Sequence, residues 1–137
     1  IVCRFFNAFG PNETNPHLIP EIQKQVLEGK RVIKLGNLTP KRDFIHTYEM
    51  AAAVETLLTN VEGGIHTYNL GRGIEYSVTE IVDAFSKAIN EKIEIEVDQS
   101  RVRKVERQHL LADVSKLKSL GWTPKIGIEE GIKTLVQ

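Results

Sequence analysis

Two groups of basic residues carry the clearest potential for chemistry. Arg42 opens the run Arg42-Asp43-Phe44-Ile45-His46, between a turn and an apolar stretch. Its planar guanidinium fork suits a phosphate, although an arginine beside an acid also reads as a plain surface pair. Arg101, Arg103, Lys104 and Arg107 form the second group, balanced by Glu106. On composition alone this group reads as a solvated charged face. The chain carries 18 Lys and Arg against 18 Asp and Glu, so its formal charge is zero. That balance argues against a nucleic-acid or membrane-surface binder, because both collect anions through net positive charge. Two separated arginine sites in a neutral chain suit a small dianion, such as a diphosphate, better than a polymer.

Other chemistries find less support. Gly71-Arg72-Gly73 opens like a dinucleotide-binding loop, but Tyr76 stands where the third glycine would fall, so the stretch reads as a turn. His17, His46, His66 and His109 lack metal-ligand spacing, and no metal is expected. His46 and His66 sit in apolar, strand-like settings and read as structural histidines. Cys3 is the only cysteine, which excludes an internal disulfide and a Cys-based zinc site; it is expected to be buried and inert. A reducing, cytoplasmic setting is the default. No uncharged apolar run approaches the ~20 residues that cross a bilayer.

The elements that must position these groups alternate between strand and helix. With 41% hydrophobic and 26% charged residues, the chain is too apolar for disorder. Residues 1–6, Ile1-Val2-Cys3-Arg4-Phe5-Phe6, read as a buried parallel strand, and Asn7 to Pro16 as a loop. Pro20 is placed as the first residue of a helix that Gly29 ends. Residues 31–35, 65–70 and 93–97 read as strands, and Phe44 to His46 as a short extended piece. Thr47 is expected to cap a helix over 48–60. Ser77 and Glu80 form a capping box for a helix to Ile89. Asp113 caps a short helix ending near Gly121, and a last helix runs from about Ile128. The pattern is α/β, with no repeat and no linker, so residues 1–137 form one region. A buried strand at Ile1 and a helix still running at Gln137 are what a piece of a longer chain would show.

Five blocks of residues, in this order, resemble a known family. They are Arg4-Phe5-Phe6-Asn7-Ala8-Phe9-Gly10-Pro11; His17-Leu18-Ile19-Pro20; and Leu35-Gly36-Asn37 running to Lys41-Arg42-Asp43-Phe44-Ile45-His46. Tyr68-Asn69-Leu70-Gly71 follows. The last is Arg101-Val102-Arg103-Lys104-Val105-Glu106 with Ala112 to Lys116 and Leu120 to Pro124. Together they resemble the C-terminal part of the extended short-chain dehydrogenases/reductases that act on nucleotide sugars. These are the NAD(P)-dependent epimerases, 4,6-dehydratases and related reductases. The resemblance implies a substrate-binding lobe plus the last strands and a helix of a Rossmann-type parallel sheet. Residues 1–6 and 65–70 would be its strands, with an N-terminal part lying outside the chain.

The same resemblance implies roles at matching positions. Asn7 would contact the substrate near its diphosphate, and Arg42 and Arg103 would clamp that diphosphate. His17 and Leu18 would touch the nucleotide, and Ile33, Lys34 and Leu35 would flank the base. Asn69 would be a further substrate contact, and Glu106 an acid near the ribose. Phe5 and Phe6 would lie near the nicotinamide of NAD or NADP. A homodimer is implied by analogy.

Some positions depart from the family pattern. Ala8 stands in place of a second asparagine, Phe44 where some epimerases have Tyr, Lys104 for a usual proline, and Glu49 for a usual aspartate. The Gly36 to Asp43 stretch and the Arg-x-Arg-x-x-Glu spacing of Arg101, Arg103 and Glu106 lean toward 4,6-dehydratases similar to those acting on GDP-mannose. The family base, a tyrosine with lysine four residues on, has no match, because Ala52, Arg72 and Glu80 follow Tyr48, Tyr68 and Tyr76 at that distance. The chain alone is expected to bind poorly and to catalyse nothing. Two other readings are a non-catalytic nucleotide-sugar module and an interaction domain whose basic cluster docks an acidic partner. The latter requires no convergence of Asn7, Arg42 and Arg103.

Overall fold

The strand expected over residues 1–6 is two strands, because the chain changes partners at Phe6. The computed structural model describes residues 1–137. Strand β1 (Val2–Phe5) pairs in parallel with β5 (Thr67–Leu70), Val2 opposite Thr67. The Phe6 N–H still donates to the Leu70 carbonyl at 3.0 Å. The next residues, β2 (Asn7–Phe9), then pair in parallel with β4 (Lys41–His46), Asn7 opposite Phe44. Asn7 to Phe9 is thus strand rather than loop, anchored by Phe9, which is buried in the core.

The remaining elements follow in chain order. They are α1 (Leu18–Leu27), β3 (Val32–Leu35), α2 (Thr47–Asn60), β6 (Glu75–Ser77), α3 (Val78–Ile89), β7 (Glu94–Val97), β8 (His109–Leu110), α4 (Ser115–Lys118) and α5 (Ile128–Val136). A 3-10 turn spans Gln99–Arg101. Strand β4 is the hub. Its first half pairs antiparallel with β6 and in parallel with β8, and its second half pairs with β2. Strands β3 and β7 form a separate parallel pair. Four of the five strand pairs are parallel, each joined through at least one helix, as the α/β pattern requires.

Strand β4 also separates two cores, because successive side chains point to opposite faces. Phe44 joins the larger cluster with Ile22, Ile33, Ile81, Phe85 and Ile132. Ile45 joins the smaller one with Leu57, Leu70, Leu117 and Trp122. Cys3 packs against this second cluster and is only half-buried, because β1 lies at the margin of that core.

Local signals explain the helix ends. The Ser77–Glu80 capping box is present in full. Helix α1 starts at Leu18, two residues before Pro20. A proline fits there because the first four helical N–H groups have no partner inside the helix. Helix α2 is capped by His46 rather than Thr47. The His46 imidazole Nδ1 accepts from the Tyr48 N–H at 3.2 Å.

The His46 cap should make stability depend on pH. Burial holds the imidazole below its ordinary value of 6.5, while Glu49 and Glu130 pull it the other way. The folded state therefore binds fewer protons there than the unfolded chain. Stability from neutral His46 is present in full above 6.5 and is lost as pH falls through the folded value. In denaturant unfolding, the wild type is expected to weaken from about pH 7.5 to about pH 5.5. His46→Asn, which keeps a cap acceptor but cannot titrate, should weaken clearly less. Equal losses in both proteins would assign the response to other groups.

Candidate functional site

Adjacent residues of β4 face different tasks. Asp43 is fully buried and accepts three backbone N–H groups. Its Oδ1 takes Arg72 at 2.7 Å, and its Oδ2 takes Gly73 at 2.7 Å and Ala112 at 3.2 Å. Burial pushes its carboxyl above the ordinary range, and those N–H groups with the nearby Arg72 charge pull it back. Gly71 lets the carboxylate come this close, since a Cβ there would lie 2.9 Å from Asp43 Oδ2 and 2.5 Å from the Ala112 Cβ. Gly73 adopts φ +78°, which favours glycine. Asp43 is therefore a staple between β4, the β5–β6 turn and the segment after β8, not half of a surface pair.

Arg42 points the other way, into a cleft of about 750 Å³. Its Nη2 meets Glu106 Oε1 at 2.6 Å, and both side chains are largely covered, 18% and 15% exposed. Arg103 Nη1 lies 3.8 Å from the other Glu106 oxygen, and its side chain is 77% exposed. Glu106 thus draws two cations together at one wall. Asn7, His17, Leu18 and Leu35 line the same cleft, with Phe5 and Phe6 at its β1 side. The convergence of Asn7, Arg42 and Arg103 is what an interaction domain would not require.

Three residues from the sequence reading lie elsewhere. Ile33 is completely buried in the larger core, because β3 alternates and its Ile33 face turns inward. Lys34 turns outward, with Nζ 3.6 Å from Glu96 of β7. Asn69 borders a separate polar hollow with Arg4 and Lys116, and its Nδ2 donates to the Asp113 carbonyl at 3.1 Å. Parallel pairing sets Asn69 opposite Arg4, on the face of β5 away from Tyr68 and Leu70. None of these three borders the cleft.

Arg101, Asn37 and Tyr76 line the cleft without having been assigned there. Arg101 stood in the basic cluster and Asn37 in a resemblance block, so both carried a signal. Tyr76 carried none, because its place depends on β6 joining β4.

The Gly71–Gly73 turn is not a dinucleotide phosphate loop. The Arg72 and Gly73 N–H groups, which a phosphate would need, are taken by Asp43. Phe5 and Phe6 give the cleft an apolar wall on its β1 side. No cluster of His, Cys, Asp and Glu could hold a metal ion, and no helix is long and apolar enough to cross a membrane.

The chain is similar to known proteins over nearly its whole length. A family model described as GDP-mannose 4,6 dehydratase matches residues 1–135. GDP-L-fucose synthase 1 of Arabidopsis thaliana is 30% identical over 135 residues, spanning 92% of this chain and 41% of that protein. A structure of UDP-glucose 4-epimerase from Bifidobacterium longum, in complex with NAD+ and UDP, superposes with a TM-score of 0.83. Its identity is 25%, over 98% of this chain and 45% of that one. A dTDP-glucose 4,6-dehydratase structure from Bacillus anthracis, in complex with NAD, gives 0.84 at 26% identity, over 99% and 43%. The chain spans less than half the length of each of these relatives. The chain belongs to the GDP-mannose 4,6-dehydratase family, among the extended short-chain dehydrogenases/reductases of nucleotide-sugar chemistry.

Proposed function

We propose that this chain forms the nucleotide-diphosphate side of the active site of a nucleotide-sugar 4,6-dehydratase, with a GDP-mannose-like substrate. The observation that supports it best is the meeting of Arg42 and Arg103 on Glu106 at the wall of a cleft that Asn7 also lines. Two guanidinium groups on one carboxylate are matched to the adjacent phosphates of a diphosphate. Glu106 fixes Arg42 before substrate arrives, and its 3.8 Å approach to Arg103 leaves that side chain free to close on a phosphate and one Glu106 oxygen open to a ribose hydroxyl. The Asn7 amide offers further donors to phosphate oxygens. His17 and Leu18, at the start of α1, close the nucleotide side. The chain binds and orients; the chemistry at the sugar belongs to groups it does not supply. When bound, NAD or NADP would provide the hydride exchange.

GDP-mannose, dTDP-glucose and UDP-glucose should be offered, with NAD and with NADP, to the full-length protein that carries this chain, and the sugar product weighed by mass spectrometry. Loss of one water from the sugar is expected, and marks a dehydratase. Unchanged mass with inverted C4 stereochemistry would move the protein to the epimerases. A mass gain of two hydrogens would move it to the reductases. Binding without turnover would leave a nucleotide-sugar module, and neither binding nor turnover would overturn the proposal.

A further inference from the structure

The segment carrying Arg103 has no regular structure, yet its backbone is fixed. Asn37, in the turn after β3, grips it with both atoms of its amide. The Arg103 N–H donates to Asn37 Oδ1 at 2.7 Å, and Asn37 Nδ2 donates to the Arg103 carbonyl at 3.1 Å. One residue earlier, Gly36 admits the segment at van der Waals range, and a Cβ on Gly36 would overlap the Arg101 carbonyl. Arg101 ties the same segment to α1, its Nη1 meeting Glu21 Oε1 at 2.8 Å. The Arg103 side chain, by contrast, is 77% exposed and makes only the 3.8 Å approach to Glu106. Arg103 is held at its base and free at its tip.

We propose that Asn37 is a positioning residue that sets Arg103 at the cleft wall, an assignment that rests on Arg103 acting as a diphosphate ligand. An exposed arginine on an untethered loop loses much of its interaction to ordering the loop and side chain when the anion binds. The two-pronged amide removes the backbone share of that cost in advance. A side chain with a donor and an acceptor on one carbon can serve both Arg103 backbone groups at once, which the Asn37 amide does at this distance. Gly36 is the second requirement, since any side chain there lifts the segment off the turn.

The test is a double-mutant cycle read by calorimetric titration of GDP into the protein. Arg103→Ala is expected to weaken GDP about tenfold, and Asn37→Ala about fivefold. If Asn37 acts through Arg103, the double variant stays near tenfold rather than about fiftyfold. Gly36→Ala should match Asn37→Ala, and unfolding midpoints check that each variant is folded. Independent, multiplying losses would show a merely structural role and overturn the inference. So would unchanged GDP affinity in Asn37→Ala with a real loss in Arg103→Ala, which leaves the diphosphate site standing. No loss in Arg103→Ala would overturn both.

Discussion

Replacing Asp43 by Ala is expected to cost about 3–5 kcal/mol of folding stability, the largest effect of any single polar change in this chain. The carboxylate is fully buried and answers three backbone N–H groups from two segments far away in sequence. Truncation leaves those donors without partners in a dry setting, each at about 1–3 kcal/mol, partly offset because a buried charge goes with them. Asp43→Asn should lose less. An amide placed with its oxygen toward Gly73 and Ala112 keeps two of the three accepted hydrogen bonds and turns a donor toward the Arg72 N–H. Trp122, the only tryptophan and nearly fully buried, reports the transition by fluorescence in urea. Because β4 carries Arg42 next to Asp43, Asp43→Ala should also weaken nucleotide binding wherever it remains folded. A midpoint unchanged from the wild type would show that water or backbone relaxation replaces the carboxylate.

Arg42→Ala is the second large effect, and it falls on function. It removes the better-covered of the two guanidinium groups and leaves Glu106, 15% exposed, without its 2.6 Å partner. An uncompensated acid then faces the place where a diphosphate must sit, so repulsion adds to the lost attraction. In the full-length protein, the expected fall in kcat/KM is about 100-fold or more, carried mainly by KM because the phosphates are held alike in ground and transition states. Arg42→Lys should recover part of it, restoring charge but not the fork. Arg42→Ala combined with Glu106→Gln should recover part as well, because the stranded carboxylate is gone. A change within about twofold in steady-state assays of Arg42→Ala would remove Arg42 from the site.

The parts of this fold legible in the sequence were those decided locally. Ser77 and Glu80 lie within one helical turn, so their capping box could be read directly, and all five helices were found. Strands β6 and β8 were not, being three and two residues long and existing only because β4 lends them a partner. The role of Asp43 was hidden for the same reason, since its donors sit at residues 72, 73 and 112. In the site, residue matching brought out Arg42, Arg103 and Glu106 but not their mutual contact. It also carried Ile33, Lys34 and Asn69, whose facing depends on strand pairing that position in the chain does not specify.

The central claim is that Arg42 and Arg103 together read a diphosphate. Calorimetric titration of GDP against GMP into the wild type and into the Arg42→Ala/Arg103→Ala variant tests it most directly. The wild type is expected to prefer GDP by about tenfold or more, and the double variant to bind both nucleotides equally weakly. Equal affinity for GDP and GMP in the wild type, or a GDP preference that survives loss of both arginines, would contradict it.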